Sequence, residues 1–381
     1  MEYKFSKLYS WTSGKPILAN EHGTIPVYGS NGIIGYTDNS KYFNKIILGR
    51  VGAYCGSVEY CPTEFNATDN TLITTCNEKL ITYPFAFYSL KLMKLNNFAG
   101  GSAQPLITQG LLKHLKCDVP SIEKQKIIAN ILSAYDNLIE NNNKRIKLLE
   151  QMAENLYKEW FVRFRFPGYE DVKFEGKIPK CWKELRLYQF GIQLESGARP
   201  KGGINSLIDE GVPSIGAESV NGLAEFDYSD VKLIPEEFYQ KLKRGKNRGN
   251  HILIYKDGAY IGKVTLFKYG FPFERFAINE HIFFMNSIRA EYQNYLYFTL
   301  KQTSYFTLMQ NLNRNAAQPG LSQLDINRIK IIEPDQVTLV NFNDFVEPIL
   351  KEVFQLAKKN HSLIKQRDML LPRLMSGKLE V

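Results

Sequence analysis

Residues 122–161 read IEKQKIIANILSAYDNLIENNNKRIKLLEQMAENLYKEWF. Within this stretch Ile128, Leu132, Tyr135, Ile139, Asn142, Ile146, Leu149, Ala153, Leu156 and Trp160 follow one another at alternating spacings of four and three. The alternation is a heptad seam of more than four repeats in which only Asn142 is polar, and it predicts a long helix with a narrow apolar stripe. A helix of about 35 residues would be ~50 Å long, against a usual length of ~12 residues. So narrow a stripe needs a partner to cover it.

The chain supplies one. Adding 214 to each seam number gives Phe342, Val346, Ile349, Val353, Leu356, Asn360, Leu363, Arg367, Leu370 and Leu374, the same seam without a gap. A polar seam residue is tolerated best opposite another, where it fixes register and orientation. If Asn142 faces Asn360 in an antiparallel pair, facing residues sum to 502. Ile128 then meets Leu374, Trp160 meets Phe342, and the helices overlap along their full length. A parallel pairing of these asparagines would put unlike heptad positions in one layer. The expectation is an antiparallel two-helix coiled coil, its pseudo-twofold axis near Lys144 and Lys358. The alternative, in which each helix packs on its own globular domain, stays open.

The repeat continues upstream of the helices. Ala103-Gln104-Pro105 recurs as Ala317-Gln318-Pro319, and Gln109, Lys116 and Pro120 recur as Gln323, Lys330 and Pro334, all at an offset of 214. VGAYCGSV from Val51 resembles DGAYIGKV from Asp257 at an offset of 206, and Ser13-Gly14 aligns with Ser196-Gly197 at 183. A tandem duplication accounts for this, with residues gained in the first two-thirds of the second copy. Short β-type runs mark the segments before the helices: Lys45–Leu48 and Thr71–Thr75, then His251–Tyr255, His281–Met285 and Arg328–Ile332. Helical stretches are expected at Phe85–Leu95 and Tyr292–Leu308. The fold class is α+β, in the order globule 1–120, long helix 121–167, globule 168–333, long helix 334–381.

Composition restricts the function classes. The 381 residues are 44% hydrophobic and 23% charged, ordinary for a folded chain of two or three domains. No run approaches the ~18 apolar residues of a membrane span, and the start MEYKFSKLYSW lacks a signal peptide's apolar stretch, so a cytoplasmic protein without membrane contact is expected. Cys55, Cys61, Cys76, Cys117 and Cys181 are odd in number and show no CxxC spacing, which supports neither a disulfide framework nor a zinc site. The net charge of +9 is spread along the chain and suits a polyanion contacted from several parts of the molecule.

Catalytic motifs fail on inspection. Gly258-x3-Gly262-Lys263-Val264 lacks a spacer residue and the Ser/Thr of a phosphate loop, and GSNGIIG from Gly29 to Gly35 lacks a dinucleotide turn's Gly-x-Gly core. The Asn/Asp-Pro-Pro-aromatic sequence of amino-methyltransferases does not occur. His22, His114, His251, His281 and His361 show no metal-ligand spacing. Asp257, Glu280 and Lys263 could imitate a metal nuclease, but such residues beside strands are more commonly turns and surface charges. No catalytic residue and no metal site is expected.

Two segments carry side chains suited to nucleic acid. KLKRGKNRG holds Lys241, Lys243, Arg244, Lys246 and Arg248 between glycines, a flexible spacing that suits phosphate contacts; arginine can also read guanine bidentately. A solvated surface loop would carry the same residues. Asn311, Asn313, Arg314 and Asn315 precede the second Ala-Gln-Pro, and Asn96, Asn97, Ser102 and Gln104 flank the first. Asparagine and glutamine match adenine's major-groove edge, though a strand-leading turn would use them too.

Together these features resemble the specificity subunit of type I restriction-modification systems. The marks are the quoted helix after Pro120, RDMLLPRLMSGKLEV at residues 367–381, and Ile178-Pro179-x-x-Trp182 leading into the second globule. The first copy has no counterpart of that Pro-x-x-Trp, and Pro334-Asp335-Gln336 replaces the usual Pro-x-x-x-Gln, which Pro120-x4-Gln125 only approximates. The resemblance implies a non-catalytic reader of double-stranded DNA. Each globule would be a target-recognition domain binding one half-site through the major groove, with the helices setting the gap. Differences between the copies imply an asymmetric bipartite target. The resemblance further implies two modification subunits that bring S-adenosylmethionine and methylate adenine, and two restriction subunits that bring ATP and Mg, with no cofactor in this chain. Rivals are an orphan or decoy subunit that redirects or blocks a host's modification subunits, and a coiled-coil scaffold that does not touch DNA.

Overall fold

Ile122–Tyr157 forms one helix of 36 residues and Gln336–Met375 another of 40. The structure, a computed structural model, describes residues 1–101, 105–203, 210–312 and 320–380. Every seam residue named above is buried or half-buried, so the heptad stripe is covered along both helices. The first helix stops short of residue 167: beyond Tyr157 it widens into a looser turn, Lys158–Val162. That turn buries the Trp160 and Phe161 rings, and burying both rings takes precedence over continuing the helix.

Contacts divide the chain into two compact units, residues 1–139 with 362–381, and residues 140–361. Each unit thus takes part of each helix. In the first, Ile128 and Leu132 share a buried cluster with Leu371 and Leu374, and Arg367 pairs with Asp136 at the seam's edge. In the second, Asn142 Nδ2 donates to Asn360 Oδ1 at 2.8 Å, and the Trp160 and Phe342 ring centroids lie 6.0 Å apart. The antiparallel register summing to 502 therefore holds within each unit. Asn360 Nδ2 also donates to Asn143 Oδ1 at 2.8 Å, so a third amide joins the polar layer.

The first unit is built on a six-stranded sheet in the order Tyr9–Ser13, Thr71–Cys76, Tyr42–Gly49, Val58–Ala67, Ile25–Gly29, Gly32–Thr37. Strand residues alternate between faces. Ile46, Leu48 and Leu72 accordingly enter the large cluster with Phe5, Phe85 and the helices, whereas Ile47 and Ile73 join Tyr28 and Phe65 on the other face.

In the second unit the same strands form two sheets. Ile192–Ser196, Ile282–Ser287, Asn250–Tyr255 and Val264–Lys268 make a four-stranded one; Leu233–Ile234, Val212–Ile215 and Ala277–Ile278 make a three-stranded one. The counterpart of the long Val58–Ala67 strand is interrupted between Lys268 and Ala277, and the sheet breaks there. The core gathers the sheet, Tyr157–Phe161 and the helix face Leu339, Phe342, Val346, Leu350, Val353 and Phe354. Here the helix buries a face far wider than a two-stranded seam, because it also roofs the globule. Among the described residues no helix is long and apolar enough to cross a membrane.

Candidate nucleic-acid interface

The basic segment of the second unit is anchored. Lys241 ends a short helix, Glu236–Lys241, and with Lys243 and Arg244 it is exposed. Lys246 Nζ donates to the Gln240 carbonyl at 3.1 Å and sits 4.8 Å from the Tyr239 ring centre, while Arg248 pairs with Glu195 at 3.2 Å. Gly245 donates its N–H to the same Glu195 at 2.8 Å. It adopts a left-handed φ of +75° that glycine accepts without strain. Gly245 thus holds the backbone of this segment, and Lys246 and Arg248 each have an internal partner while Arg248 stays exposed.

His251 closes the base of this loop. Its Nε2 accepts the Arg248 N–H at 2.7 Å, its Nδ1 donates to Asn286 Oδ1 at 2.5 Å, and its ring stacks on Phe284 at 3.9 Å. Burial pushes its pKa down to about 4, so it is neutral at pH 7.

Arg244 reaches a cleft of about 970 Å³ whose other walls include Gly197, Lys256, Asp257, His281 and Gln323. Asp257 Oδ1 accepts from His281 Nδ1 at 2.5 Å, and Glu280 pairs with Arg199 at 3.0 Å. Lys263 Nζ lies 4.7 Å from the Tyr260 ring centre. The acidic residues weighed as a metal-nuclease imitation are thus paired with a histidine and an arginine. Among the described residues no group of three or more His, Cys, Asp and Glu could hold a metal ion.

The asparagine-rich candidates are placed only in part. Asn96 and Asn97 are exposed on a single turn, Leu95–Phe98. Asn311 is exposed in the last turn of the helix Thr303–Leu312. Ser102, Gln104, Asn313, Arg314 and Asn315 lie outside the described residues.

Both copies build the same backbone frame around the cleft position. Arg50 donates its N–H to the Asn70 carbonyl and accepts from Ile107; Lys256 donates to the His281 carbonyl and accepts from Leu321. Val51 bridges Leu106 as Asp257 bridges Gly320. The parallel pair Tyr28 with Ala67 matches Ile215 with Ile278. A Cβ on Gly14 would lie 2.0 Å from the Thr68 carbonyl oxygen, and one on Gly197 would lie 1.7 Å from that of Ile278. Glycine at both positions is the condition for this close approach.

Comparison with known proteins places the architecture. Residues 7–151 match the family model described as the type I restriction modification DNA specificity domain. Over 313 residues the chain is 29% identical to a type I restriction enzyme specificity subunit of Methanocaldococcus jannaschii, covering 78% of this chain and 69% of that one. The chain is thus similar to type I restriction-modification specificity subunits, over residues 7–151 by the family model and over 78% of its length by the archaeal relative. A specificity subunit of Escherichia coli is 36% identical over 131 residues, 34% of this chain and 32% of the relative. The crystal structure of an S subunit from M. genitalium shares the fold, with a TM-score of 0.64 at 18% identity over 98% of this chain and 96% of that one. Sequence reasoning singled out Arg244, which lines the cleft, and the 257–264 repeat, but missed Asn143, His251 and His281 as structural partners. Their only signal was residue type, because the side chains they meet, Asn360, Asn286 and Asp257, lie on other segments.

Proposed function

We propose that this chain is a type I restriction-modification specificity subunit, reads an asymmetric, bipartite double-stranded DNA target, one half-site per unit, and is itself non-catalytic. The observation that carries this reading is one backbone frame built twice with different side chains at its cleft. A duplicated frame suits two half-sites, and unlike side chains suit two different half-sites. Exposed Lys241, Lys243 and Arg244 would supply phosphate or guanine contacts in the second unit. Two modification subunits would bring S-adenosylmethionine and methylate an adenine flipped from the duplex. Two restriction subunits would add ATP- and Mg-dependent translocation and cleavage in the cytoplasm.

The test is a map of methylated adenines across the host genome with the chain present and deleted. Loss of methylation at one two-part motif with a fixed gap is the expected result. Unchanged methylation would overturn the reading and leave a silent chain, a decoy or a scaffold. A titration of DNA binding against salt would then tell a DNA-binding chain from a scaffold, since phosphate contacts give a steep slope.

A further inference from the structure

The equivalent frames hold different side chains at two positions. At the first, Val51 corresponds to Asp257; at the second, Asn70 corresponds to His281. The surrounding charges are conserved in kind, Arg50 for Lys256 and Asp69 for Glu280. Backbone pairing is the same with valine or aspartate in place, so the fold does not require the carboxylate.

A carboxylate beside a polyanion repels phosphates and is costly there unless it makes a specific contact. Asp257 shares its cleft with Glu280, which is paired with Arg199, and with Arg244 and Lys256, whose charges offset that repulsion. One carboxylate accepts several hydrogen bonds, so the His281 contact at Oδ1 leaves acceptor capacity. In the major groove a carboxylate matches the amino group of cytosine or adenine, an apolar side chain matches the thymine methyl, and asparagine matches adenine.

We propose that residues 51 and 70 in the first copy, and 257 and 281 in the second, are the same pair of specificity-determining positions. Asp257, oriented by His281, selects a base bearing a major-groove amino group; Val51 with Asn70 selects an A·T pair. This rests on the DNA-reading function proposed above and assigns it to named residues.

The experiment places full-length variants in the host's own copy of the gene and sequences the methylated adenines. Asp257→Val with His281→Asn, the residues of the first copy, is expected to cut discrimination about tenfold or more at one or two base pairs of one half-site. The other half-site stays as in the wild type. Val51→Asp is expected to alter only that other half-site. The near-isosteric Asp257→Leu, which keeps the cleft's shape but has no acceptor oxygen, tests the same position if the double variant does not accumulate. An unchanged motif in folded Asp257→Leu and Val51→Asp, or equal weakening of both half-sites, overturns the assignment while the wild-type motif upholds the DNA-reading function. Absence of any chain-dependent motif in the wild type overturns both.

Discussion

In the first unit the long helix is tied down by a neutral amide. Gln125, fully buried, donates from Nε2 to the carbonyls of Leu80 and Pro120 at 2.8 and 3.0 Å and accepts the Thr82 N–H at 2.8 Å. In the second unit the corresponding residue is Leu339, and charged groups hold the helix instead. Trp182 Nε1 donates to Asp335 at 2.9 Å at the helix start. Further along, Glu347 accepts from Lys268, from Tyr269 and, at 2.8 Å, from Asn294. Burial pushes the Glu347 pKa up, but these hydrogen bonds outweigh it and hold the carboxylate below its ordinary value. Two copies of one fold thus constrain the backbone alike and leave the side chains that lock it free to differ.

The largest break in that comparison should come from Glu347→Ala. Lys268, with 8% of its side chain exposed, would be left as a buried charge without its carboxylate. The expected cost is about 3 kcal/mol, the low end for a broken buried pair because Glu347 is partly solvated. Chemical denaturation should show the loss in the second unit, with protection of Thr71–Cys76 retained in hydrogen exchange.

Acid should separate the units next. Where the second has buried His251, the first has Lys45, which donates to the Tyr83 hydroxyl at 2.6 Å. Burial lowers the His251 pKa from 6.5 to about 4. Between those values the unfolded chain carries a proton that the folded chain lacks, so stability falls as pH drops from above 6.5 toward 4. At pH 5 the expected loss is about 2 kcal/mol. Hydrogen exchange at pH 7 and pH 5, corrected for intrinsic rates, should find protection of Asn250–Tyr255 weakened while Tyr42–Gly49 holds. Equal weakening in both strands would contradict the assignment to His251.

The smallest effect expected is from Gln125→Leu, which installs the second copy's residue in the first. It leaves the Thr82 N–H and the Leu80 carbonyl without the amide partner, at a cost of about 1–2 kcal/mol. A denaturant midpoint that does not move would show that the leucine-type lock fits either copy.

Local pattern made the helices readable. A heptad seam repeats within one turn or two, so periodicity alone disclosed both helices, and the paired asparagines disclosed their direction and register. The strand runs at 45–48, 71–75 and 251–255 were equally visible, because β-branched and apolar residues cluster there. Hidden from the sequence were the partners of those strands and the contacts that hold its basic loop. The glycine at 245 reads as flexibility in sequence, yet its N–H is held by Glu195, fifty residues earlier.

The sequence by itself determined the duplication, the two long helices and their antiparallel register, since each rests on spacing that a single segment displays. Tertiary structure alone decided which residues meet at the cleft. Gly197, Arg244, Asp257, His281 and Gln323 come from separate segments, and the residues gained in the second copy shift each segment's offset from the first. Only backbone hydrogen bonds, which are indifferent to side-chain identity, show that Val51 and Asp257, or Asn70 and His281, stand at the same place.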